Sequence, residues 1–406
     1  MSVDYDPFAE AVCEDPFPSY RALRDADPAH YSPKYDCWFL SRFDDVWRAE
    51  MDRESFSCRE GVTSTQLLSP PAIPPELLPP AHPDGWGTNL QQLDPPQHTL
   101  VRRQLAPHFQ PAALRALEPW LREIARGCVD ALLERGGGDA VADLAMRVSV
   151  RAACRIIGLP VEDADLLAAC VNGLFARSAG GQDFGGPALA AGLRLRAYLV
   201  DFARARRARP GDAAADLFVS RAQDFAGRAL GDDEVASHLM LLLIGGTETL
   251  PKVASAAIHR LCQHPEQRAR AAADLALVPG AFHEALRLDM PTQMLGRVVV
   301  KDVAFHGRRL RAGQKVMYLW ASANRDEREF ADPERYDLAR RAPRILSFGH
   351  GAHLCLGKHV ATLEGRVILE ELLARAPRYA VDLARAERFR TEFFRGFASL
   401  PISLGG

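Results

Sequence analysis

A chain of 406 residues with 48% hydrophobic, 25% charged and 8% aromatic residues has the balance of a folded, globular protein, and its length allows either two or three domains or one large one. Its 50 basic and 52 acidic residues leave a formal charge of -2, which gives no electrostatic reason for nucleic acid or an anionic membrane as main partner. Eight scattered cysteines without a C-x-x-C pair argue against a zinc site or a disulfide framework.

The N-terminus, MSVDYDPFAEAVCEDP, is acidic and proline-bearing, unlike a secretory signal, so a soluble, reducing, cytoplasmic setting is expected. Apolar positions at helical spacing then predict helices over 16–26 and 43–51, with a short strand at 36–42 (DCWFLSR) between them. The stretch 59–97 contains SPPAIPPELLPPAHPDG, too rich in proline for a continuous helix, and predicts a long ordered loop. Helices follow at 98–108, 112–135, 140–157, 161–178, 186–208, 231–263, 265–276 and 279–289. Residues 294–320 carry strand-type sequence, and a last helix covers 355–376. The strongest apolar run, Leu239 to Ile244, falls far below the ~20 residues of a membrane span.

Helix 231–263 opens on GDDE, whose acids suit a helix N-terminus, and stops at His264-Pro265. Its middle, Ile244-Gly245-Gly246-Thr247-Glu248-Thr249-Leu250-Pro251, sets two glycines and a proline in an apolar helix, at roughly 1 kcal/mol per glycine and ~3 for proline. Pro251 cannot donate to the Thr247 carbonyl, and the Thr249 hydroxyl can bond back to Gly245, so the ladder is expected to open there. Such a break is either a plain proline kink or a place kept for something else.

In SFGHGAHLCLGKHVATLEGRVILEELL, residues 347–373, Gly349, Gly351 and Gly357 surround Cys355 before an apolar-periodic helix. Glycines let backbone approach a flat ligand, and amides near a helix start favour a thiolate, which a metal would enforce outright. The residues leave three readings open: a metal ligand, a low-pKa nucleophile, and a buried cysteine beside a tight turn. A nucleophile wants an activating histidine with an orienting carboxylate, and His350 and His353 have no evident partner.

FGHGAHLCLG resembles the haem-binding loop of the cytochrome P-450 superfamily, F-x-x-G-x-x-x-C-x-G with a basic residue two before the cysteine, at Phe348, Gly351, His353, Cys355 and Gly357. Four more segments match in the family's order. Asp94-Pro-Pro-Gln-His98-Thr-Leu-Val-Arg102 resembles the start of the C helix, and Gly245–Thr249 the oxygen-activation motif of the I helix. Glu284-Ala-Leu-Arg287 is similar to the E-x-x-R pair of the K helix, and Asp332-Pro-Glu-Arg335-Tyr336 to the P-E-R-F segment.

The resemblance implies a mainly α fold, one haem-thiolate domain over residues 1–406 with a minor β-rich region, and haem b as cofactor. It makes Cys355 the iron ligand, assigns His98, Arg102, Arg297 and His353 to the propionates, and adds Phe348, Leu356, Gly357 and Ala361 to the cofactor-binding set. It makes Thr249 the hydroxyl beside dioxygen, Glu248 the proton relay, and Glu284, Arg287 and Arg335 a buried network. By position, Leu241, Ile244, Gly245, Thr292, Gln293, Leu295, Phe393 and Phe394 line a substrate pocket, under a lid of 59–97 and 178–187.

The implied reaction inserts one atom of O2 into a small hydrophobic substrate. With the chain taken up by one haem domain, electrons are expected from an external ferredoxin and its reductase, docking at Arg103, Arg344, Lys358 and Arg366. A membrane anchor and a nucleic-acid partner are not expected. The alternatives are a peroxide-driven peroxygenase, against which Glu248 and Thr249 weigh, and a non-catalytic haem-thiolate ligand-binding protein.

Overall fold

Apolar residues at helical spacing fold as expected into a mainly α protein, and the computed structural model describes residues 3–68, 89–175 and 186–404. Residues 69–88 and 176–185, with most of the expected lid at 59–97 and 178–187, lie outside the described residues. Local chemistry sets several boundaries. The helix expected over 112–135 starts at Glu118, after a separate turn at Pro111–Leu114, because Pro119 has no N–H to continue the earlier turn. The helix expected over 140–157 begins as a wide π-type turn, Ala140–Ala145, where the Asp139 carboxylate accepts from the Val141 and Ala142 amides at 2.7 and 3.2 Å. It continues as Met146–Ile157 and ends on Gly158 at φ 94°.

The β part is a five-stranded sheet in spatial order Ala29–Ser32, Cys37–Leu40, Lys315–Tyr318, Leu295–Val299, Phe56–Ser57. Cys37–Leu40 runs parallel to Lys315–Tyr318, with Trp38 opposite Val316, and the other neighbours are antiparallel. Every residue of Cys37–Leu40 and of Leu295–Val299 is buried, apolar throughout in the first and interrupted by Arg297 in the second. Full burial of side chains such as Phe39, Leu40 and Met317 stabilises the sheet by roughly 1.5–3 kcal/mol each. A two-stranded hairpin, Glu387–Arg390 with Arg395–Ser399, follows near the C-terminus.

The central feature is the pair Asp232–Thr247 and Thr249–Gln263, one long helix broken at Glu248. Its first half packs on Met146–Ile157 and Gly186–Ala208, its second on Val278–Leu288, Lys358–Arg375 and the C-terminal hairpin. The run Asp232–Gln263 is long and apolar enough to cross a bilayer, yet 67% of its most apolar window is buried inside the protein, as a core helix would be.

Candidate active site

Cys355 occupies the turn leading into helix Lys358–Arg375, three residues later than the helix start expected from sequence. The loop closes on itself, with the Cys355 amide donating to the Phe348 carbonyl at 2.7 Å and the Leu354 amide to Gly351 at 3.3 Å. Gly349 and Gly351 hold φ of 64° and 66°, and a Cβ at Gly351 would lie 2.3 Å from the Glu50 carbonyl. Helix Phe43–Met51 braces the loop from that side. His350 stacks on Trp47 with ring centroids 3.4 Å apart, and Trp320 Nε1 donates to Glu50 Oε1 at 2.8 Å. Desolvation pushes the Glu50 carboxyl up to about 8, against the pull of Arg297, Trp320 and the His350 amide.

All eight cysteines are free, and Cys355 alone among them is exposed, although Leu346 and Val360 nearby are buried. It therefore lines an interior surface. Burial still pushes its thiol up, while the Gly357 amide donating to Sγ, then the Arg102 and Lys358 charges, pull it down.

The expected cations do come together. His98 and Arg102 share a face of helix Gln97–Leu105, the His98 and His353 rings lie 4.1 Å apart, and Arg297 is buried on its strand. Arg102 donates to the Leu354 carbonyl and so ties its helix to the cysteine loop. Burial, then Arg102 and Arg53, push His98 down to about 4. Burial, then Arg297 and His98, push His353 down to about 2. His98 Nε2 is buried without a partner. Two guanidiniums beside two imidazoles that burial and those guanidiniums hold neutral, one with a buried nitrogen unpaired, are complementary to a group with several carboxylates, such as haem with its two propionates. Across the fold Gly245 is exposed on the broken helix, with open space where a Cβ would stand. Sulfur, cations and open helix face fit haem. Beside them, Cys58, Asp94 and His353 bring three ligand-type atoms within 4.8 Å of one another. Asp94 accepts from the Cys58 amide and Sγ, both at 3.1 Å, and Cys58 Sγ lies 3.5 Å from His353 Nε2, so the trio ties His353 to the segment before helix Gln97–Leu105.

At the helix break the Thr249 hydroxyl reaches back to the Gly245 carbonyl at 3.5 Å, as expected, and Ser149 donates to the Gly246 carbonyl at 2.6 Å. Lys252, which sequence reasoning missed, is the main surprise. Its ammonium donates to Glu248 Oε2 at 2.7 Å and to the Glu248 carbonyl at 2.8 Å, and both side chains are buried, at 4% and 2% exposure. Glu248 Oε1 has no partner. Lys252 Nζ also stands 4.5 Å from the Phe389 ring centroid and 5.1 Å from that of Phe394. The signal was the Glu–Lys spacing at i,i+4.

Glu284 and Arg287 form the expected buried pair, with Nε and Nη2 of the arginine donating at 2.9 and 2.8 Å. Arg335 is a correction. It is exposed and, among the described residues, its side chain reaches only Asp337, at 3.5 Å, while Arg340 Nε donates to Glu284 Oε1 at 2.8 Å. Tyr336 turns inward, its hydroxyl donating to the Ala281 carbonyl at 3.0 Å, and its neighbour Arg335 is thereby turned out to solvent.

The pocket segments meet through a bridge between Thr292 and Phe394 and through the Gln293 amide donating to the Phe393 carbonyl at 2.8 Å. Phe175 meets Phe394 edge-on at 5.1 Å, and Leu241 and Ile244 are partly buried against the helical core. Leu295 is buried in the sheet core and the Gln293 amide group donates to the Met290 carbonyl at 2.7 Å, so these two build the wall instead of offering contact surface. Of the docking cations, Arg366 pairs with Glu118 at 2.7 Å and Glu370 at 3.2 Å, and Arg344 with Glu329 and Asp44. Arg103 and Lys358 have no carboxylate partner among the described residues.

The family model described as Cytochrome P450 matches residues 203–376. A putative cytochrome P450 123 of Mycobacterium tuberculosis is 34% identical over 400 residues, covering 98% of this chain and 96% of that protein. The vitamin D(3) 25-hydroxylase of Pseudonocardia autotrophica is 32% identical over 407 residues, covering 99% and 96%. Among solved structures, CYP109E1 from Bacillus megaterium in complex with testosterone superposes with a TM-score of 0.84 at 26% identity, covering 98% of this chain and 100% of that one.

Proposed function

The chain belongs to the cytochrome P450 family and is a haem b monooxygenase; from that premise we propose that it hydroxylates a small hydrophobic molecule, drawing electrons from an external ferredoxin and its reductase. We read residues 1–406 as one such domain, working in the cytoplasm. The observation that carries the site assignment is Cys355, the one exposed cysteine, with a backbone amide on its sulfur and Arg102, Arg297 and two neutral imidazoles clustered beside it.

Bound haem supplies dioxygen activation and transfer of an oxygen atom to carbon. Cys355 Sγ would be the iron ligand, and the Gly357 N–H would temper its electron donation. His98, Arg102, Arg297 and His353 would hold the propionates, and Phe348, Leu356 and Ala361, all partly buried, would give the ring apolar surface. Thr249 Oγ1 makes only a long bond to Gly245 and is free to turn and donate to dioxygen. Glu248 relays the proton through Oε1, while Lys252 holds Oε2. Leu241, Ile244, Gly245, Thr292, Phe393 and Phe394 face the substrate. The vitamin D(3) hydroxylase and the testosterone complex support an apolar substrate of modest size. A peroxygenase would need no acid and hydroxyl at this position, so Glu248 with Thr249 favours the oxygen-dependent reaction.

The test is the spectrum of the reduced carbon monoxide adduct. A strongly red-shifted Soret band is expected in the wild type and its loss in Cys355→Ala; a wild type without that band overturns the assignment. Thr249→Ala is expected to bind substrate normally and divert reducing equivalents to hydrogen peroxide, and fully coupled turnover in that variant removes Thr249 from the relay.

A further inference from the structure

A cavity of about 420 Å³ lies apart from the cysteine loop and the cation cluster, walled by Phe17, His259, Arg325, Arg388, Arg395 and Phe397 among others. We propose that it binds a small oxyanion, the phosphate or carboxylate group of a soluble molecule, at a site separate from the substrate pocket. The C-terminal hairpin sets up the charge. Its register, Arg388 opposite Phe397 and Arg390 opposite Arg395, places three arginines on one face, and like charges opposed across strands repel. Glu14 answers two of them: its carboxylate pairs with Arg390, and its carbonyl accepts from Arg395 Nη1 at 2.7 Å. Arg388 has no carboxylate partner among the described residues.

Two aromatic rings hold the donors in place. Phe397 carries Arg388 Cζ at 4.0 Å from its centroid and the His259 ring edge-on at 5.3 Å, while Phe17 carries Arg325 at 3.5 Å and Arg395 at 5.2 Å. His259 is 9% exposed, and its Nδ1 is buried without a partner. The acids of the cavity are already engaged, since Asp289 accepts from Arg260 Nε and Nη2 at 2.7 and 2.8 Å, and Asp15 accepts from the Phe17 amide at 3.3 Å. What is left over is the exposed Arg388 guanidinium fork and the part of the Arg395 guanidinium that Glu14 does not use, with the His259 ring packed beside them, a set that matches an oxyanion. In keeping with this, burial and then Arg395 depress Arg388, and burial, Arg388 and Arg260 push His259 down to about 4, in both cases against the opposing pull of Asp289.

The experiment titrates the haem-loaded protein calorimetrically with inorganic phosphate and, in a second arm, malonate, at ionic strength held constant with chloride. At least one anion is expected to bind saturably without moving the Soret band, Arg388→Gln to weaken it at least tenfold, and Arg388→Lys to weaken it less. The arms tell a phosphate site from a carboxylate site. Absence of saturation by both anions, unchanged affinity in Arg388→Gln, or a shifted Soret band would each overturn the proposal. Should Arg388→Gln fold poorly, anion-induced shifts of the His259 ring resonances in the wild type decide the same point, and their absence counts against the site.

Discussion

A buried ammonium four residues from a buried carboxylate survives only through mutual neutralisation, and for Glu248 and Lys252 this predicts strong coupling. Lys252→Met leaves the carboxylate uncompensated and is expected to lower stability by about 3–5 kcal/mol in denaturant unfolding. The double variant with Glu248→Gln should recover most of that loss, and strictly additive effects would show the two groups to be independent. Glu50 predicts a pH dependence. Its folded carboxyl, at about 8, lies above the usual 4.5, so the folded state holds the proton more tightly than the unfolded one. Stability is then fullest below pH 4.5 and falls as pH rises through about 8. Glu50→Gln keeps an acceptor for Trp320 and removes that slope. Its melting temperature should match the wild type in acid and exceed it above pH 8, by the equivalent of up to roughly 5 kcal/mol, and parallel pH profiles would show that Glu50 titrates alike in the folded and unfolded states.

At the scale of elements, motif spacing made the cysteine loop, the broken helix and the Glu284–Arg287 pair legible, because each is set by contacts within a few residues. Arg335 was misplaced because the partner of Glu284 is chosen by how 331–340 turns, with Asp332 at φ 46° and Tyr336 packed inward. Arg340→Gln is accordingly expected to cost about 2 kcal/mol in unfolding free energy, and Arg335→Gln less than ~0.5. The reverse order would restore the family-based assignment. The hairpin Glu387–Arg390 with Arg395–Ser399 was invisible in sequence for a related reason: it is rich in arginine, and its stability comes from Glu14, Lys252 and Phe17, none of them near it in the chain. The cations around His98 were legible by resemblance, whereas Glu50 and Arg53 carried no local signal at all.

Across the whole molecule, a net charge of -2 does not say which cations stand where a partner could use them. Arg344 and Arg366 hold the protein's own helices together, and among the docking candidates Arg103 and Lys358 remain. Both flank the iron ligand. Lys358 begins the helix that follows Cys355, and Arg103 is next to Arg102, which donates to the Leu354 carbonyl. A negatively charged electron donor drawn to this face would sit over the cysteine side, where the covalent path to the sulfur is short. Arg103→Glu with Lys358→Glu is therefore expected to raise the ferredoxin KM about tenfold at low ionic strength, with less effect at high salt. Substrate-induced spectral shifts and melting temperature should be unchanged. Arg366→Glu should do the opposite, lowering stability through the loss of Glu118 and Glu370 while leaving the salt dependence of turnover as it was. Ferredoxin-driven turnover in the Arg103/Lys358 double variant that matches the wild type at low salt would place the docking surface elsewhere.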